Sequence, residues 1–141
     1  MKTKIEIKIR NYHVDHFNHV NHARFIEFME EARWSYLEDN NLLERFKKNN
    51  LPHVVVKISI NYRKIVRFGD ILCIETQPAK LSNKSFTIRQ SMFINGTDTL
   101  AADAEVTNVF VEPTSGKVIP IDEAILDLWP DLKMLSKKGD I

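Results

Sequence analysis

Along this chain the spacing of apolar residues changes from two to 3.6 and back to two, and that order restricts the fold more than any single motif. Ile5, Ile7 and Ile9 alternate with Lys4, Glu6, Lys8 and Arg10, the period of a strand with one buried face. From about Asn21, Phe25, Met29, Ala32 and Tyr36 recur at helical spacing, and Ile26, Phe28, Trp34 and Leu37 widen the stripe. So broad an apolar face predicts a helix largely enclosed by other structure. Asn18 and Asn21 can both cap its start. Its end falls near Asp39-Asn40-Asn41, and Leu42 to Lys48 reads as a short second helix.

Four strand patterns follow in sequence. Val54, Val56, Ile58, Ile60 and Tyr62 alternate with Val55, Lys57, Ser59, Asn61 and Arg63, and Ile71 to Leu81 follows the turn Phe68-Gly69-Asp70. Phe86, Ile88, Met92 and Ile94 form the third, and Asn95-Gly96 is a strong hairpin turn. Leu100, Ala102, Ala104, Val106 and Phe110 share one face of the last. A short amphipathic helix around Asp122 to Leu128 and a charged tail, Lys137 to Asp140, close the chain. One antiparallel sheet wrapped around one long helix satisfies this order, an α+β architecture in a single domain over residues 1–141. Its open sheet edges invite pairing with a second copy, so a homodimer or a dimer of dimers is expected.

Composition removes several function classes. Twenty Lys and Arg against 19 Asp and Glu leave a net charge of +1, without the excess positive charge that nucleic acid or an anionic membrane needs. No stretch approaches the roughly 20 apolar residues of a membrane span, and the first residues lack the apolar core of a signal peptide. The single Cys73 cannot form an internal disulfide or a cysteine-based zinc cluster, and within Ile71-Leu72-Cys73-Ile74 it reads as a small buried hydrophobe. A cytoplasmic protein is expected.

Asn11 to Asn21 is the segment with chemistry in it. It holds one carboxylate, Asp15, and three of the four histidines of the set His13, His16, His19 and His22, just ahead of a helix start. The first backbone N–H groups of a helix lack intrahelical partners and carry the positive end of its dipole. That environment suits an oxygen becoming negative in a transition state, with a neighbouring carboxylate as base or nucleophile. The same residues also serve as ordinary caps and turn formers, so the pattern alone leaves both roles open.

Asp15-x-x-Asn18-His19-Val20-Asn21-x-Ala23-x-Phe25, followed by Glu30-Glu31-Ala32-Arg33-Trp34, resembles the hotdog-fold acyl-CoA thioesterases of the 4-hydroxybenzoyl-CoA thioesterase type. The resemblance continues through Tyr62-Arg63, Gly69-Asp70 and Lys84-Ser85-Phe86. It implies hydrolysis of an acyl- or aryl-thioester of coenzyme A, or of an acyl-carrier protein, without a metal and with coenzyme A only as part of the substrate. Asp15 falls on the family's catalytic aspartate. His22 falls on the position whose backbone N–H polarises the thioester carbonyl, and in a related bacterial branch a histidine there has a catalytic side chain. Asn18, His19, Val20 and Asn21 are expected around the substrate, with the N–H of Asn21 joining that of His22 at the carbonyl. Lys84, with Ser85, is expected at the coenzyme A phosphates. Two positions depart from the pattern. Asn18 replaces the usual glycine, which the tolerance of Asn for left-handed backbone allows. His13 replaces the first acid of a D-x-D pair, which bears on substrate preference.

Other features have competing readings. The histidines, spaced every three residues, could with Asp15 suggest a metal site, but the run crosses from loop into helix and no metal is expected. His53 opens a strand and reads as structural. Arg33, with Glu30 and Glu31, is expected in a buried ion pair that ties helix to sheet. Phe28, Met29 and Trp34 read as core, with an acyl pocket as the alternative. A non-catalytic acyl-CoA or carrier-protein binding module and a hotdog hydratase or dehydratase are the competing functions. The G-D-x-N-P-x-H hydratase signature is absent, since Gly69-Asp70 is followed by Ile71-Leu72. Hydrolysis is the reading Asp15 favours.

Overall fold

The computed structural model describes residues 1–137; residues 138–140 of the charged tail lie outside the described residues. Strand β1 (Thr3–Lys8) leads through a single 3-10 turn (Asn11–His13) to the long helix α1 (His22–Asp39) and the short α2 (Leu42–Lys48). Strands β2 (His53–Tyr62), β3 (Ile71–Leu81), β4 (Phe86–Ile94) and β5 (Leu100–Val111) follow, then a two-residue β6 (Val118–Ile119) and helices α3 (Glu123–Leu128) and α4 (Pro130–Lys137). The sheet order is β1-β3-β4-β5-β2, all antiparallel, with β6 added to β5. α1 and the four strands after it match the expected segments. α4 was not anticipated: Pro130 opens it, where a missing N–H costs nothing, and Leu132 is buried.

The sheet has one apolar and one polar face. Leu72, Ile74, Met92, Ala102, Val106 and Phe110 all point inward, against Phe25, Met29, Ala32 and Tyr36 of α1. Each large side chain buried in this way contributes about 1.5–3 kcal/mol. The Tyr36 hydroxyl accepts from Trp129 Nε1 at 3.0 Å, so the terminal helices are tied to α1 by a satisfied buried pair. Burial pushes the Tyr36 hydroxyl up to about 12. Cys73 differs from expectation. It pairs with Glu6 on the outer face and is only half-buried, because strand parity places it beside Glu75 and not with the core.

The apolar stripe of α1 is wider than this chain covers. Ile26 and Trp34 are exposed, and so are Val54, Val55 and Val56 on the free edge of β2. Pro78, by contrast, sits at a bulge in β3 beyond the last residue paired to β1, where no ladder bond needs its N–H.

Candidate active site

The loop from Asp15 to Asn21 is held from three sides. Val14 and Val20 form an isolated antiparallel bridge across it. Asp15 N–H donates to the His19 carbonyl at 2.9 Å, and Val20 N–H to the Val66 carbonyl at 2.9 Å. Asn18 has φ 62°, the left-handed backbone expected where the family has glycine, and its Oδ1 accepts from Phe68 N–H at 3.1 Å. The turn is thereby fastened to the segment that follows β2.

Asp15 is exposed, and its Oδ1 accepts from the backbone N–H groups of Phe17 (2.9 Å) and His19 (3.1 Å). The His19 amide above all, then that of Phe17, holds the carboxyl below its ordinary range, so it is ionised at neutral pH. Oδ2 takes no hydrogen bond among the described residues.

The start of α1 is nearly used up by its own caps. Asn18 N–H donates to the Asp15 carbonyl, His19 N–H to Asp15 Oδ1, Val20 N–H to Val66 and Asn21 N–H to the His13 carbonyl. Ala23 N–H donates to Asn21 Oδ1 at 2.9 Å, and Arg24 N–H to the Asn21 carbonyl. From Asn18 to Arg24, only the N–H of His22 has no partner among the described residues. This corrects the expectation for Asn21. Its side chain caps the helix and its N–H is committed to His13, so His22 alone offers a donor.

His22 lines a cleft of about 290 Å³ with His19, Val20, Phe25, Tyr62 and Lys64. Tyr62 was not singled out as a site residue, although its parity with Ile58 and Ile60 turns it toward the helix. Its hydroxyl donates to the His22 carbonyl at 3.2 Å, and its ring meets Phe25 edge-on. Asp15 and Asn18 do not line this cleft; they form the outer side of the same loop, joined to it through His19.

The four histidines do not converge. His13 is buried against Phe28, and its Nδ1 accepts from Arg10 N–H at 2.9 Å, whereas His16 is exposed and His22 faces the cleft. No three His, Cys, Asp or Glu side chains among the described residues are placed to hold a metal ion.

Lys84 and Ser85 lie elsewhere. Phe86 pairs with Asn108, which pairs with Val55, so the β3–β4 turn stands at the start of β2. Tyr62 ends that strand, about 30 Å away at roughly 3.3 Å per residue. One chain therefore does not bring Lys84 to its own His22.

Arg33 also departs from expectation. It donates to the neutral Gln90 Oε1 at 3.1 Å, and Glu30 and Glu31 stay exposed. Gln90 is fully buried and donates through Nε2 to the Met29 carbonyl and Thr76 Oγ1. The polar tie from helix to sheet runs through an amide, not an ion pair.

The model of the Thioesterase-like superfamily matches residues 9–128. The long-chain acyl-CoA thioesterase FadM of Escherichia coli (strain K12) is 37% identical over 117 residues, 83% of this chain and 89% of FadM. The crystal structure of YbaW, a probable thioesterase from Escherichia coli, superposes with a TM-score of 0.83 at 33% identity, covering 94% of this chain and 98% of that one. That of 4-hydroxybenzoyl CoA thioesterase from Pseudomonas sp. strain CBS-3 gives 0.77 at 17% identity, over 90% and 98% of the two chains, a likeness of fold.

Proposed function

The chain belongs to the thioesterase-like superfamily and is an acyl-CoA thioester hydrolase of the hotdog fold, and from that premise we propose how its residues perform the reaction. The thioester carbonyl oxygen accepts from the N–H of His22, at the positive end of α1. One such donor typically lowers the barrier by about 3 kcal/mol. Oδ2 of Asp15 takes a proton from a water whose oxygen attacks the carbonyl carbon. The C–S bond then breaks, and the departing thiolate takes up the proton from Asp15. In the alternative route Asp15 attacks the carbon itself, the C–S bond breaks and the thiolate leaves with a proton from water, and water then opens the mixed anhydride that remains. The chain supplies both base and oxyanion donor, so the reaction is proposed to need neither metal nor cofactor, and a chelator should leave turnover intact. The observation that carries this reading is the unpartnered N–H of His22, seven residues along the same loop from an amide-held carboxylate with one free oxygen among the described residues.

The free edge of β2, with Val54 to Val56 and Trp34 exposed beside it, fits a homodimer formed by antiparallel pairing of β2 with its copy. Such pairing sets the start of one β2 opposite the end of the other. Lys84 and Ser85 of each protomer then stand over the other's cleft, where coenzyme A phosphates would emerge. The phosphopantetheine arm is common to coenzyme A and acyl-carrier protein, so a carrier-bound acyl group fits the same cleft. Among the described residues no helix is long and apolar enough to cross a membrane, and the single Cys73 accords with the cytoplasmic setting expected.

The test is Asp15→Asn, which keeps size but removes the charge. It should lower kcat at least about 100-fold with folding intact. In a single turnover in heavy-oxygen water, label in Asp15 marks an anhydride opened at the aspartyl carbon; label only in the product acid comes from a general base or from an anhydride opened at the acyl carbon, which trapping of the anhydride with hydroxylamine separates. Near-normal hydrolysis by Asp15→Asn would overturn the assignment.

A further inference from the structure

A second cavity system lies at the other end of α1. A groove of about 320 Å³ runs between the second half of the helix and the start of β2, walled by Trp34, Leu37, Val54 and Val55. It shares Arg33, Leu37, His53 and Asn108 with an inner space of about 30 Å³ closed off by Tyr36, Phe86 and Trp129. The inner space has room for one oxygen-sized group.

The throat between the two is polar where the fold calls for apolar residues. Gln90, Thr76 and Asn108 occupy inward positions of β4, β3 and β5, each interrupting an apolar alternation. The Arg33 guanidinium has five N–H donors. One is bonded, to Gln90, and no carboxylate oxygen lies within 4.0 Å of it among the described residues. Asn108, 2% exposed, donates to the Val106 carbonyl, and its Oδ1 takes no bond among the described residues. No side-chain polar atom fully shut off from solvent lacks a partner among the described residues, so the unbonded Asn108 Oδ1 and the remaining donors of Arg33 face accessible space. A charge held in this way is costly unless something pairs with it, and an apolar residue of similar volume would serve packing alone at least as well. Burial and the Arg33 charge push the His53 imidazole below its ordinary range, so the ring is neutral; the exposed Glu30 carboxylate shares the outer groove and acts on Arg33 through space only, with no hydrogen bond or ion pair between them.

We infer that this pocket receives the distal end of the acyl group, and that Arg33, positioned by Gln90, selects acyl chains carrying a hydrogen-bond-accepting oxygen there. The chain body lies against Trp34, Leu37, Val54 and Val55, and the oxygen reaches the throat between Arg33 and His53. A carboxylate is the strongest acceptor, since it also compensates the charge. The inference rests on the thioesterase reading and on the paired β2 edges, because that pairing brings the groove of one protomer against the cleft of the other. In a single chain the two are separated by the length of β2.

The test compares kcat/KM of the full chain on matched acyl-CoAs of short, medium and long chain, each unsubstituted and with a terminal hydroxyl, carbonyl or carboxylate. At the length that spans the pocket, an oxygenated chain should exceed its unsubstituted counterpart by about tenfold or more, as expected for hydrogen bonds to a charged donor. In Arg33→Met that ratio should collapse toward one. Equal turnover of both series at every length overturns the inference, as does a preference that survives in Arg33→Met. Should Arg33→Met fail to fold, the wild-type protein still decides. The His53 imidazole resonances should shift on adding the oxygenated free acid and not the unsubstituted one, and the absence of that difference refutes the pocket. Failure to hydrolyse any member of the panel would instead refute the thioesterase reading.

Discussion

The hydroxyl of Tyr62, the last residue of β2, donates to the backbone carbonyl of His22, the first residue of α1, at 3.2 Å. The free edge strand of the sheet and the start of α1 are thereby joined by one hydrogen bond. Tyr62→Phe removes that bond and keeps the ring against Phe25. It should cost about 1 kcal/mol of stability and lower kcat several-fold with a smaller change in KM, because the His22 N–H loses its fixed direction. Melting curves and steady-state kinetics check both parts.

His13 binds the chain only as the neutral ring. Its Nδ1 accepts from Arg10 N–H, and burial, then the charges of Arg24 and Arg10, push its proton affinity below the ordinary value of 6.5. A histidine lowered in the folded state leaves the unfolded chain binding more protons. Stability should therefore fall as pH drops through 6.5 and go on falling toward the folded pKa. His13→Gln retains an acceptor that does not titrate. Urea midpoints measured from about pH 7 to pH 5 should decline less steeply in that variant than in the wild-type protein.

Lys84 should act across the dimer. Lys84→Ala is expected to raise KM for acyl-CoA, most at low salt, with kcat nearly unchanged. In mixed dimers of Lys84→Ala with Asp15→Asn, one of the two sites regains both residues. Such dimers should show about half the wild-type kcat, and the KM decides: a wild-type KM is expected when each site draws on both protomers. A KM as high as that of Lys84→Ala would place both residues within one chain's site.

Val56 is 57% exposed on the free edge of β2. Val56→Lys puts a charge on that edge, a device that blocks strand pairing. Light scattering should then return a monomer with thioesterase activity strongly reduced. A fully active monomer would show that each chain carries a complete site.

Local pattern was enough for the elements. The change of period located β1, α1 and the four long strands, because side-chain alternation on a strand and on a helix differ whatever the partner is. Asn21 was readable as the cap of α1, and Asn18 as a residue able to hold φ 62°. Asp15 stood out as a carboxylate ahead of a helix start. α4 was less visible, since Pro130 reads as a break until the helix behind it is known.

What the sequence by itself determined is the set of elements, their order and the motif at the start of α1, all properties of residues near one another along the chain. Tertiary structure alone decided which donors stay free. The Asn21 N–H was lost to His13, and the Arg33 guanidinium met Gln90 and not a glutamate. It also set Lys84 at the far end of β2 from His22 and brought Tyr62 onto the helix. These outcomes depend on register and on which groups across the fold have already paired. A hydrogen-bond donor can be counted as available only after every competing acceptor has been placed in space.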